Sequence, residues 1–193
     1  MNPTPLSAAC LHQTVYASLF AALIAAGAFL AIPIGPVPIV LQNLFVLLTG
    51  LLLGPRWGLA SVGIYLLAGA IGLPVFAGGT GGIGRILGPT GGYLVAYLPA
   101  VWVVGIVSAR TKGRVMGDIA AMALGALIVY GMGVPHLKAV TGMPWSKAVA
   151  AGMLPFLIGD ALKIAAAVPI ARTLRPVMAG RVQAFRSDEY SRG

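Results

Sequence analysis

Six apolar runs of 16 to 24 residues follow one another between Val15 and Ala171, and they leave the chain few ways to fold. A run of that length crosses the roughly 30 Å hydrocarbon layer of a bilayer as a helix, because lipid offers the backbone no hydrogen-bond partner and a helix satisfies its own. The runs are Val15–Ile32, Ile39–Gly54, Gly58–Leu73, about Gly92–Ala109, about Val115–Val134 and about Ala148–Ala171. Only 9% of residues are charged, whereas a soluble domain carries about 25%. The expected fold is all-α: a polytopic membrane protein whose six transmembrane helices form one domain over residues 15–172. A short N-terminus (1–14) precedes it and a basic, frayed tail (173–193) follows. The first run has no Lys or Arg before it and exceeds a secretory-signal core, so it is read as a membrane helix. Cys10 is the only cysteine, which excludes an intrachain disulfide or a cysteine metal cluster.

The net charge of +9 follows from where the basic residues stand. The loops after the second and fourth runs and the tail hold Arg56, Arg110, Lys112, Arg114, Arg172, Arg175, Arg181, Arg186 and Arg192; the other side holds Arg85, Lys138 and Lys147. Nine against three puts both termini in the cytoplasm and the glycine segment outside. Asp118 falls in the first turn of the fifth helix, where a carboxylate suits the positive end of the dipole, so it is left out of any site. His136 is expected in the loop after that helix with no second ligand nearby, a poor metal candidate.

Between the third and fourth runs lies a segment, 72–93, with nine glycines, several large apolar residues and a single charge, Arg85. A linker would be polar; glycine mixed with Val, Phe, Ile and Leu suggests a partly re-entrant loop packed against the helices rather than a surface turn. Gln42 and Asn43 stand just past the Pro-rich turn after the first helix. Two amides there either satisfy loop backbone groups or read a ligand. On the first helix, Ala21/Ala25 and Ala22/Ala26 form two small-xxx-small pairs on neighbouring faces, suited to close helix approach within this chain or with a partner.

Asp160 and Lys163 are the anomaly. Asp160 is 12 residues into the sixth run, roughly 18 Å deep at 1.5 Å per residue. An ionisable group at the centre of a span costs about 2.5–3.5 kcal/mol on insertion scales, so such residues pair, face a cavity and carry function. Spaced i, i+3, the two can touch; the plainer explanation is a self-satisfied structural pair, with Pro155 loosening the helix upstream. If the glycine segment brings Arg85 to the same place, two cations and one anion give a balance of +1, suited to a monoanion such as a carboxylate. Phe76, Tyr93 and Trp102 would supply apolar walls.

Enzymatic and nucleotide motifs fail. Residues 79–84 match G-x-G-x-x-G, but no strand precedes them and no acid follows at the required distance. There is no phosphate-binding G-x-x-x-x-G-K-[ST], and no nucleophilic triad or paired-carboxylate set can be assembled. This excludes ATP hydrolysis by that route and leaves open a self-sufficient ion-coupled secondary transporter of a small carboxylate, or a channel, with Asp160 as proton carrier.

Four stretches resemble one family: Pro36-Val37-Pro38-Ile39-Val40-Leu41-Gln42, Gly72-Leu73-Pro74-Val75-Phe76-Ala77-Gly78-Gly79, Gly88-Pro89-Thr90-Gly91-Gly92-Tyr93 and Gly159-Asp160-Ala161-Leu162-Lys163. Together, across residues 15–172, they are similar to the BioY family, the biotin-specific substrate-binding (S) components of energy-coupling-factor (ECF) transporters. The resemblance implies six helices and a biotin pocket open to the outside. It also implies a transmembrane T subunit and two ATPases as partners, with ATP used by those subunits and no cofactor in this chain. It implies that Arg85, Asp160 and Lys163 contact biotin, with Tyr93, Gln42, Asn43, Thr80 and Phe76 around them. It further implies that Ala21, Ala22, Ala25 and Ala26 meet the T subunit. Some relatives have Asn where this chain has Thr80.

Overall fold

The computed structural model describes residues 5–32 and 36–190, with side chains described over 10–31 and 36–178. Its elements in chain order are helix α1 (Pro5–Phe29), strands β1 (Ala31–Ile32) and β2 (Ile39–Val40), and helices α2 (Gln42–Ala70), α3 (Ile83–Leu87), α4 (Gly91–Arg110), α5 (Val115–Thr141), α6 (Trp145–Gly152) and α7 (Leu154–Tyr190). The two strands pair antiparallel, Ala31 with Val40 and Ile32 with Ile39. Among the described residues, five helical stretches are long and apolar enough to cross a membrane, beginning at Cys10, Gln42, Gly91, Val115 and Trp145. Large apolar side chains such as Leu19, Leu67, Leu127 and Leu162 point outward. That is the surface lipid requires.

The second and third apolar runs form one continuous stretch, α2, broken only at Gly54 (φ 73°, ψ −174°). The break turns the chain back on itself. A Cβ on Gly58 would stand 3.7 Å from the Gly50 Cα, although eight residues of straight helix would separate them by about 12 Å. Gly54 supplies the positive φ and Pro55 opens the second limb, where its missing N–H costs nothing. The limbs meet α4 closely: a Cβ on Gly50 would lie 2.8 Å from the Val101 carbonyl, and one on Gly105 2.4 Å from the Pro55 nitrogen. The most extensive packing joins α4 to α2 and α5, and α1 to α2.

Several boundaries differ from expectation. α1 ends at Phe29, before the Pro-rich turn, of which residues 33–35 lie outside the described ones. α5 runs past Pro135 to Thr141, so His136 and Lys138 are helical rather than in a loop. The carbonyl that Pro135 leaves unpaired belongs to exposed Gly131, which makes the loss tolerable there. The sixth run breaks at Met153 (φ −138°, ψ −56°) into α6 and α7, which puts Pro155 in the first turn of α7, where proline is tolerated. Asp160 is thus six residues into its helix, not 12. Helix also continues through Arg175 to Tyr190, where fraying was expected.

The glycine segment is pinned by Phe76. That ring is 1% exposed and meets Tyr65 edge-on, centroids 5.5 Å apart. Gly69 makes room for it, since a Cβ there would fall 2.0 Å from Cζ of the ring. The Gly82 amide donates to the Gly69 carbonyl at 2.7 Å, tying the segment to the end of α2. Ile83 and Leu87 of α3 face outward.

Candidate ligand-binding site

One cavity gathers residues from the Pro-rich turn, the start of α2, the glycine segment, α4, α5 and α7. Val37, Pro38 and Val40 line it beside the strand pair, Gln42 and Asn43 from the start of α2, and Phe76, Ala77, Arg85 and Thr90 from the glycine segment. Tyr93, Leu94 and Tyr97 of α4, Val129 and Tyr130 of α5, and Phe156, Asp160 and Lys163 of α7 complete it. Its atom-free volume, counted together with the open space at its mouth, is about 630 Å³.

Asp160 and Lys163 form an ion pair, Nζ to Oδ1 3.0 Å, with the two side chains 8% and 11% exposed. The Tyr130 hydroxyl donates to the other carboxylate oxygen, Oδ2. Both oxygens of Asp160 are therefore engaged, and its charge is neutralised by Lys163.

Arg85 is held differently. Two glycines at positive φ, Gly78 (75°) and Gly79 (68°), close a tight turn in which the Phe76 amide donates to the Thr80 carbonyl at 2.8 Å. The Thr80 hydroxyl donates to the Ala77 carbonyl (3.0 Å) and accepts from Arg85 Nε (2.9 Å), while Arg85 Nη2 donates to the same carbonyl (3.3 Å). All its partners are neutral, and no acid pairs with it among the described residues. Of the two cations lining the cavity, Arg85 alone keeps its net charge.

Gln42 and Asn43 are 2% and 8% exposed; Gln42 stands beside the Tyr65 hydroxyl, and Asn43 Oδ1 has no hydrogen-bond partner among the described residues. A buried polar atom left unpaired costs about 1–3 kcal/mol, and Asn43, which carries one, is among the residues that line this cavity. Tyr93 lines the cavity with its ring, its hydroxyl being spent on the Gly152 carbonyl at 2.8 Å, where it caps α6.

Of the residues expected around a ligand, Arg85, Asp160, Lys163, Tyr93, Gln42, Asn43 and Phe76 line this cavity; Thr80 stands behind Arg85 as its support. Trp102 does not belong: it is 45% exposed on the outer face of α4. Tyr97 and Tyr130 were missed, because an aromatic within an apolar run reads as core. The two alanine pairs of α1 separate. Ala21 is 6% exposed and packs in the core with half-buried Ala25, whereas Ala22 and Ala26 face outward.

Residues 2–180 match the BioY family. The chain is 44% identical over 158 residues to the probable biotin transporter BioY of Pyrococcus horikoshii, covering 82% of this chain and 93% of that protein. It is 39% identical over 165 residues to the biotin transporter BioY of Thermotoga maritima, covering 86% and 96%. Its fold is similar to the crystal structure of the S-component for biotin from an ECF-type ABC transporter, with a TM-score of 0.81 and 35% identity over 86% of this chain and 92% of that one. With that cavity and these relatives, the chain belongs to the BioY family.

Proposed function

We propose that this chain binds biotin from outside the cell and delivers it across the bacterial cytoplasmic membrane as the S component of an ECF transporter. A T subunit and two ATPases supply the energy. The observation that carries the reading is the uncompensated positive charge of Arg85 in a cavity whose other ion pair is internally neutral. That balance suits a ligand with one carboxylate. Biotin also offers two ureido N–H donors and a carbonyl, which match the Asp160 carboxylate, the Lys163 ammonium and the side-chain amides of Gln42 and Asn43. Its thiolane ring and chain would lie against Phe76, Tyr93, Tyr97 and Phe156.

This reading orients the ligand, carboxylate toward Arg85 and ureido ring toward α7. It also carries six spans with both termini cytoplasmic: the two limbs of α2 count separately, as the reversal at Gly54 supports. The glycine segment then dips back from the outer side, anchored by Phe76. Ala22 and Ala26 form the docking stripe for the T subunit.

The test is titration of the purified chain with biotin and with biotinamide, which lacks the negative charge. The parent should bind biotin tightly and biotinamide at least about tenfold more weakly, the loss of one charge-assisted contact. Arg85→Ala should erase most of that difference. Equal affinity of the parent for both compounds would remove the charge argument; no affinity for biotin would remove the function.

A further inference from the structure

Another ion pair, with a fully buried carboxylate, stands far along α7 from the cavity. Asp118 is completely buried near the start of α5. Arg175 grips it with both ends of its fork, Nη1 to Oδ2 at 2.7 Å and Nη2 to Oδ1 at 2.9 Å. The guanidinium also donates to Ser108 Oγ (2.7 Å), the Gly113 carbonyl (3.2 Å) and the Leu51 carbonyl (3.1 Å from Nη2), and Ser108 Oγ donates to Asp118 Oδ1 at 2.7 Å. One side chain of α7 thereby ties α2, α4, α5 and the turn after α4.

The rest of α7 holds on loosely. Over its described side chains the buried residues are Phe156, Asp160, Ala167, Val168 and Ala171. At 100° per residue these, with Lys163 and Arg175, fall within an arc of roughly 140°, so one face carries polar groups toward both ends and small apolar ones between. Alanines raise no ridges that could lock into a neighbour's grooves. Pro169 removes a backbone hydrogen bond midway, so the line of the helix depends on what holds its two halves. Fifteen residues separate Asp160 from Arg175, about 22 Å of helix.

We infer that Arg175 is a positioning residue for the ligand site. By locking the inner half of α7 to the bundle, it fixes the height and rotation at which Asp160 and Lys163 enter the cavity. The inference rests on the biotin reading above. Linkage makes the effect reciprocal: ligand held by Asp160 and Lys163 steadies the lock, as the lock steadies them.

Removing Arg175 alone would strand the Asp118 charge in the interior and could unfold the chain, so the decisive variant is the double Arg175→Met, Asp118→Leu, which replaces the pair with apolar groups of similar bulk. Arg175→Lys is the second variant, keeping the charge and losing the fork. Biotin dissociation constants are measured on both, with thermal unfolding without ligand. Hydrogen exchange of amides 108–118 is followed with and without biotin. The double variant should keep the parent's unliganded stability and bind biotin at least about fivefold more weakly, within the 5- to 150-fold range of coupled sites. Arg175→Lys should fall between it and the parent. In the parent, biotin should slow exchange across 108–118; in the double variant it should not. Either variant binding biotin as the parent does, whatever its stability, would overturn the inference, as would parent exchange at 108–118 indifferent to biotin. A parent that fails to bind biotin would sink the ligand reading instead, a different result.

Discussion

Whether Asp160 and Lys163 read a ligand or only brace α7 can be decided by removing the pair in halves and then whole. Asp160→Asn leaves the Lys163 ammonium, 11% exposed, without its anion; Lys163→Met leaves Asp160, 8% exposed, with Tyr130 as its only described partner. Breaking a buried pair costs about 3–5 kcal/mol, because the surviving charge is uncompensated. The cavity beside Lys163 lets the ammonium gain some relief, so the lower end of that range is expected for Asp160→Asn. The double variant removes both charges and should recover most of the loss, so the two single effects are strongly non-additive. Biotin affinity should not recover with it. Each ligand bond to a charged group is worth about 1.5–3 kcal/mol, or about 10- to 150-fold. The assay is biotin titration of the two single variants and the double, with thermal unfolding recorded on the same samples. A well-folded double variant that binds biotin like the parent would make the pair a brace and refute the site.

Two other outcomes follow from the packing. Ala22 and Ala26 face outward, so replacing both with Leu should leave biotin binding and stability unchanged while co-purification with the T subunit falls; Ala21→Leu, pushed into the core at 6% exposure, should instead lower thermal stability. Gly69→Ala drives a methyl to 2.0 Å from the Phe76 ring. It should cost about 1–3 kcal/mol and weaken biotin binding, and adding Phe76→Leu should restore the stability, as unfolding with and without biotin would show.

The cavity was legible where a residue had no local excuse. A carboxylate and an ammonium inside an apolar run, one arginine in a glycine-rich stretch and two amides at a helix start each break the pattern of their surroundings, and all line one cavity. What stayed hidden had a sufficient local explanation. Asp118 suited a helix dipole and Arg175 suited a cytoplasmic tail, so nothing joined residues 57 positions apart. Tyr130 looked like core until its hydroxyl was found on Asp160. The break at Met153 was invisible for the same reason, since apolar residues continue across it and hydropathy does not register a change in helix direction. The fifth run was expected to end at about Val134, but the carbonyl that Pro135 leaves unpaired, that of Gly131, lies on the outer face of α5 and the helix runs on.

The way Arg85 is held bears on how its charge is presented to the cavity. The guanidinium is fastened to Thr80 and Ala77 of its own loop. Its rotamer freedom is spent before any ligand arrives, so capture does not incur that entropy again. Because Thr80 and Ala77 belong to the turn at Gly78 and Gly79, the position of the guanidinium is set by the backbone of that turn, and a substitution that reshapes the turn would displace the cation without touching it.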